Sequence, residues 1–168
     1  GSFDDCQKMV KEAFMDKSIT SGLSSSNSIN IGRLLPQMAY YAYASEMYLA
    51  LYGEKPVIIV PSGNVGNVTG CFWAKAMGYP IERIVMATNA NRTIPDYLES
   101  GEYKPRASVK TLANAMDVGA PSNMERLFDM FPTFEDFSAS VSAKSVSDSE
   151  IQRTIKEVYE EDNYIICP

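Results

Sequence analysis

The sequence predicts an α/β fold, a parallel sheet flanked by helices. Two apolar runs carry the prediction. Val57-Ile58-Ile59-Val60 has the β-branched composition of a strand covered on both faces, and Ile84-Val85-Met86-Ala87 reads as a second buried strand. Each is followed by a polar turn and then a helical pattern, and this alternation builds parallel sheets.

The elements follow in order. Asp4 to Met15 places Cys6, Met9, Val10, Ala13 and Phe14 at helical spacing, with Asp4 and Asp5 in the first turn where they favour the helix dipole. Ile19 to Ser26 is small and polar and reads as a loop or short strand. Ser28 to Tyr52 is the longest helical pattern, with Asn27 or Ser28 as its expected cap and Gly53 as its close. Pro36 should kink it or set its first turns apart. After the first strand comes the turn Pro61 to Asn67, then a helix from Val68 to Met77. The second strand leads into the polar loop Thr88 to Thr93 and a short helix, Ile94 to Glu99. Tyr103 to Asn123 is irregular. Met124 to Met130, Thr133 to Ser142 and Asp148 to Glu161 read as helices, the last capped by Asp148, and Tyr164 to Cys167 as a third strand.

The chain has 168 residues, 45% hydrophobic and 21% charged, the balance of one globular domain spanning residues 1–168. No apolar run approaches the roughly 20 residues that span a bilayer. The opening Gly1-Ser2-Phe3-Asp4-Asp5 has no initiator Met and no basic leader, which leads us to expect a piece of a longer chain. A net charge of −6 argues against nucleic acid as a partner, since phosphate backbones attract basic surfaces. Cys6, Cys71 and Cys167 are scattered, which fits reduced thiols in a cytoplasmic protein. The absence of histidine excludes Ser-His-Asp and Cys-His nucleophile arrangements and histidine-based zinc sites within the chain. Chemistry here must run on something else, such as a cofactor.

The sharpest feature is Ser62-Gly63-Asn64-Val65-Gly66-Asn67, between a strand and a helix. A helix N-terminus offers unpaired N–H groups and a positive dipole end. Glycines ahead of it let the backbone approach a ligand closely, which makes an anion cradle. Ser62, Asn64 and Asn67 can add side-chain donors. No lysine sits in the loop, which disfavours a Walker-type nucleotide site. A tight turn with no ligand would use the same residues.

This loop resembles the Ser-Gly-Asn-Phe-Gly-Asn/Asp phosphate loop of threonine synthases, with Val65 where phenylalanine is common. Four more segments resemble that family in the same order: Gly1 to Cys6, Asn27 to Leu35, Ala87-Thr88-Asn89-Ala90-Asn91, and Leu112 to Asp117. The resemblance runs to about residue 130, and Tyr164 to Pro168 is similar to the strand before the family's Pro-His motif.

The resemblance implies a three-layer, Rossmann-like piece of a fold-type-II pyridoxal-phosphate (PLP) enzyme. Such enzymes convert O-phospho-L-homoserine and water into L-threonine and phosphate. It implies that Ser62, Gly63, Asn64, Val65, Gly66 and Asn67 bind the phosphate of PLP, largely through backbone N–H groups. Ser28, Asn30 and Arg33 near a helix start, and Thr88 and Asn89 at a strand's carboxyl end with Asn91 beside them, become candidate substrate contacts. The alternatives are a capped helix with a solvated arginine and ordinary Asn-rich turn chemistry. Asn114 and Asp117 are weaker candidates, and Asp117 would equally hold a loop. The tyrosines Tyr40, Tyr41, Tyr43, Tyr48 and Tyr52 read as helix packing rather than a stacking platform.

The chain departs from the family in one respect that matters for chemistry. The family's PLP lysine lies in a Phe-Lys-Asp motif, which this chain lacks, and Lys8, Lys11, Lys55 and Lys75 stand in other contexts. The expectation is that the chain alone is inactive, binds PLP weakly if at all, and self-associates through a core face left exposed. Two other readings remain open: a serine or threonine dehydratase of the same fold type, and a non-catalytic anion-binding module.

Overall fold

A computed structural model describes residues 3–19 and 21–168; the Gly1 and Ser2 part of the opening match lies outside them. Helix α1 (Phe3–Met15) is followed by a loop and the short α2 (Ile31–Leu34). A 3-10 turn (Leu35–Gln37) leads into α3 (Met38–Tyr52), closed by Gly53 in the left-handed conformation (φ 72°). Strand β1 (Val57–Pro61) runs to α4 (Gly66–Ala76), then β2 (Arg83–Thr88) and α5 (Thr93–Ser100). After a long irregular stretch with a 3-10 turn at Asn114–Met116 come α6 (Met124–Met130), α7 (Phe134–Ser140), β3 (Val141–Ser145) and α8 (Asp148–Asp162).

The three strands form one parallel sheet in the order β1-β2-β3, with Val60 level with Met86 and Met86 level with Ala143. Ile58, Val60, Ile84, Met86 and Val141 share one face, because side chains alternate along a strand. That face packs on Val68, Cys71 and Phe72 of α4, Ile94 and Tyr97 of α5, and Met124, Leu127 and Phe137 of α6 and α7. Tyr97 stacks on Phe137 at 5.6 Å and meets Phe128, Phe134 and Tyr103 edge to face. Among the described residues, no helix is long and apolar enough to cross a membrane.

Five local expectations are corrected. The strand β1 is not covered on both faces: Val57 and Ile59 point away from the core and are 47% and 66% exposed. The third strand is Val141–Ser145, not Tyr164 to Cys167, and α7 ends at Ser140, two residues before the predicted helix limit. The physical reason is the free edge of β2. Its backbone groups need partners, and Val-Ser-Ala-Lys-Ser alternates well enough to supply them. Ile165 is left solvent-exposed, with no strand beside it. The long helix is capped by Asn30 rather than Asn27 or Ser28, because Pro36 divides it and the cap belongs to the short first piece. Helix α8 is capped by Ser147, whose side chain and that of Glu150 bond reciprocally to each other's backbone, while Asp148 instead accepts from the Leu112 N–H at 3.1 Å.

Of the five tyrosines read as helix packing, Tyr41 is buried; Tyr40, Tyr43 and Tyr52 stand more than half exposed. Helix α3 is apolar nearly all round, so periodicity alone does not say which side is covered.

Candidate functional site

Strand β1 delivers its last residue, Pro61, to the carboxyl edge of the sheet, and Ser62 turns there by donating its N–H to Ala87 O of β2 at 2.8 Å. The backbone then crosses to α4 through Val65 in the left-handed region (φ 64°). A β-branched residue is strained there, yet Val65 is 2% exposed, and its buried side chain offsets the strain. From Gly63 to Val68, no N–H donates to any described residue. Six consecutive donors unclaimed among the described residues lead into the start of an eleven-residue helix, a donor set suited to an anion.

Two glycines make this close approach possible. A Cβ on Gly63 would sit 2.9 Å from Met116 Cα and 3.2 Å from Met116 O, so the Asn114–Met116 turn lies directly on the loop. A Cβ on Gly66 would meet Asn123 Nδ2 at 3.3 Å and Ser28 Cβ at 3.5 Å. The cleft over the loop, about 220 Å³, is walled by Ser28, Arg33, Gln37, Met116 and Phe3. A larger groove of about 670 Å³ around Trp73, Arg126 and Met130 shares none of the loop residues.

The loop's side chains are turned inward, and they hold the loop. Ser62 Oγ donates to Val60 O at 2.9 Å. Asn64 Nδ2 donates to Ser28 Oγ at 2.6 Å, and its Oδ1 accepts from Ser122 N at 2.8 Å and Ser122 Oγ at 3.1 Å. Asn67 Nδ2 donates to Gln37 Oε1 at 2.7 Å, and its Oδ1 accepts from Tyr41 Oη. Each of the side chains expected from sequence to be donors therefore gives a hydrogen bond to the fold, while the backbone N–H groups remain for a ligand. Burial pushes the Tyr41 hydroxyl well above its ordinary pKa, which keeps it a neutral donor to Asn67.

The other candidates divide. Ser28 and Arg33 share the cleft with Ser62 to Asn67; Arg33 is exposed there and donates Nη1 to Ser26 O at 2.8 Å. Asn30 is not among the cleft-lining residues: its Oδ1 accepts from Gly32 N at 2.9 Å and its Nδ2 donates to Ser25 O at 2.7 Å. Thr88 and Asn89 also lie off the cleft, both about 95% buried. Asn89 Nδ2 donates to Thr111 Oγ1, Ala113 O and Asp117 Oδ1, and its Oδ1 accepts from Asn91. Asp117 further accepts from Thr111 N and Oγ1 and from Asn91 Nδ2, so this carboxylate ties the 111–117 turn to the end of β2. That turn in turn supplies Met116 over Gly63. No lysine is among the residues lining the cleft.

Sequence reasoning missed Gln7, Tyr41, Ser122 and Asn123. Gln7 Nε2 donates to Ser122 Oγ at 3.0 Å, and so joins α1 to Asn64. None of these lies near the loop in sequence, and no spacing signals them.

A protein-family model described as pyridoxal-phosphate dependent enzyme matches residues 1–168. A threonine synthase of Buchnera aphidicola subsp. Schizaphis graminum is 43% identical over 161 residues, covering 95% of this chain and 38% of its own length. The crystal structure of threonine synthase from Escherichia coli superposes with a TM-score of 0.86 at 38% identity, covering 100% of this chain and 40% of that one. PLP-bound threonine synthase from Brucella melitensis superposes with a TM-score of 0.85 at 32% identity, covering 99% of this chain and 41% of that one. The chain thus spans about two fifths of the relatives it matches.

Proposed function

The chain belongs to the pyridoxal-phosphate dependent enzyme family, and on that premise we propose that it is the phosphate-gripping part of a threonine synthase. One observation carries the reading: the six unclaimed N–H groups from Gly63 to Val68, in a loop where two positions leave little or no room for a Cβ. A phosphate monoester fits this donor set, being dianionic and rich in acceptors. In this reading Ser62, Gly63, Asn64, Val65, Gly66 and Asn67 hold the phosphate of PLP. Bound there, PLP supplies an electron sink for carbanion chemistry at the substrate.

The substrate assigned is O-phospho-L-homoserine, and the products are L-threonine and phosphate. Ser28 and Arg33, beside the loop in the same cleft, are assigned to the substrate's phosphate, Arg33 as a charged fork and Ser28 as a hydroxyl donor. Asn30, Thr88 and Asn89 are assigned the shaping of the site, through the cap of α2 and the 111–117 turn. The proton-transferring lysine is assigned to a segment with a Phe-Lys-Asp motif, outside these 168 residues. We read residues 1–168 as one α/β domain of a cytoplasmic enzyme.

The test has two arms. The chain supplied with PLP and O-phospho-L-homoserine is expected to form no threonine; threonine formation would overturn the assignment of the lysine. The protein carrying this chain together with a Phe-Lys-Asp segment is expected to release phosphate from O-phospho-L-homoserine. Release of ammonia from serine or threonine instead would move the reading to a dehydratase.

A further inference from the structure

Asn123 stands at the cap position of α6, but its side chain makes no bond to that helix's backbone. It reaches away from it. Nδ2 donates to Ser28 O at 3.1 Å and to Asn64 O at 3.0 Å, and Oδ1 accepts from Arg126 Nε at 3.0 Å. Arg126 Nη2 donates to Ile29 O at 2.8 Å, so the guanidinium holds both the amide and the segment it binds. Asn123 is 1% exposed, and a Cβ on Gly66 would meet its Nδ2 at 3.3 Å.

Two carbonyl oxygens from separate segments, Ser28 and Asn64, therefore face one amide nitrogen. Without its two N–H groups these part-buried acceptors would lose that donor and face each other uncompensated. An aspartate would put an oxygen against both. A leucine would take this donor from both carbonyls and the acceptor from Arg126 Nε.

Resting on the assignment of the loop to a phosphate, we propose that Asn123 is a positioning residue for that cradle. It sets the separation of the Ser28 and Asn64 walls, and by gripping Asn64 O it aims the N–H groups that follow. Arg126 fixes the amide's orientation.

The experiment uses the full chain, 15N-labelled, titrated with inorganic phosphate. Asn123→Asp is nearly isosteric and keeps the acceptor for Arg126. It is expected to move the ligand-free amide resonances of Gly63 and Gly66 and to weaken phosphate binding by about tenfold. Resonances around Phe137 should stay in place. Wild-type loop resonances and wild-type affinity in Asn123→Asp, even with a lowered melting temperature, would overturn the proposal and leave a merely structural asparagine. Should Asn123→Asp fail to fold, Arg126→Lys serves, with smaller shifts in the same resonances expected and none overturning the proposal. If the wild type shows no phosphate-induced shift, the cradle reading fails separately. Asn123 is then judged on the ligand-free loop resonances, where movement supports positioning and its absence overturns it.

Discussion

Asn64 and Ser28 are joined side chain to side chain, Nδ2 to Oγ, across 2.6 Å and 36 positions of sequence. This bond ties the loop at the end of β1 to the segment that enters α2. It also commits one of the two Asn64 amide N–H groups to the fold.

Asn64→Ala removes that bond and leaves Ser122 N without its acceptor. A buried donor left unpaired costs about 1–3 kcal/mol, so urea unfolding should show a loss in this range. Ser28→Ala removes that bond and a long one of 3.4 Å from Ser28 Oγ to Asn27 Oδ1, leaves the Ser122 N–H paired, and should cost less, about 0.5–1.5 kcal/mol. Equal losses would mean that Ser122 finds another partner.

Gly63→Ala is expected to be more disruptive than Gly66→Ala. At Gly63 the new Cβ meets the Met116 backbone at 2.9 Å, and backbone cannot swing aside. At Gly66 it meets the end of an amide at 3.3 Å. Overpacking costs roughly 1–3 kcal/mol, and thermal melts should place Gly63→Ala at or beyond the upper end and Gly66→Ala near the lower.

Cys71 should be inert where Cys6 and Cys167 are reactive. Burial pushes the Cys71 thiol up to about 12, whereas Cys6 and Cys167 are exposed. A thiol reagent at pH 8 should modify two groups quickly and the third only in denaturant. The sign for stability follows. A thiol whose folded pKa is raised contributes stability below its unfolded pKa and loses it as pH rises toward the folded value. Stability should thus fall between about pH 9 and 12, with Tyr103, also raised to about 12 by burial, adding to the fall. Cys71→Ala should make the urea midpoint less steep with pH over this range.

The open face of β1 should drive association. Val57 and Ile59 are exposed on a strand whose other face is core. Sedimentation velocity is expected to show concentration-dependent association, which Ile59→Lys reduces. A monomer at all concentrations would remove the expected self-association.

The fold class and the strand–turn–helix that frames the candidate site were legible because their signals are local. Val57 to Val60 followed by a glycine-rich turn and a helix states a strand, a turn and an open helix N-terminus within about twenty residues. Pro36 announced the break in the long helix for the same reason. The third strand was misplaced because Val141 to Ser145 carries a weak alternation, and only the free edge of β2 selects it. Tyr164 to Cys167 has better strand composition but pairs with neither outer edge of the sheet.

For the site, the sequence by itself determined which backbone offers the donors. Gly63 and Gly66 flank the residues that need closeness, and that requirement is written in the absence of a Cβ. Tertiary structure alone decided what the polar side chains do. Asn64, Asn67 and Asn89 look like ligand contacts in sequence and are consumed by Ser28, Gln37, Tyr41 and Asp117 in space. A buried amide must satisfy its hydrogen bonds, and its partners come from segments that packing, not sequence proximity, brings within 3 Å or so.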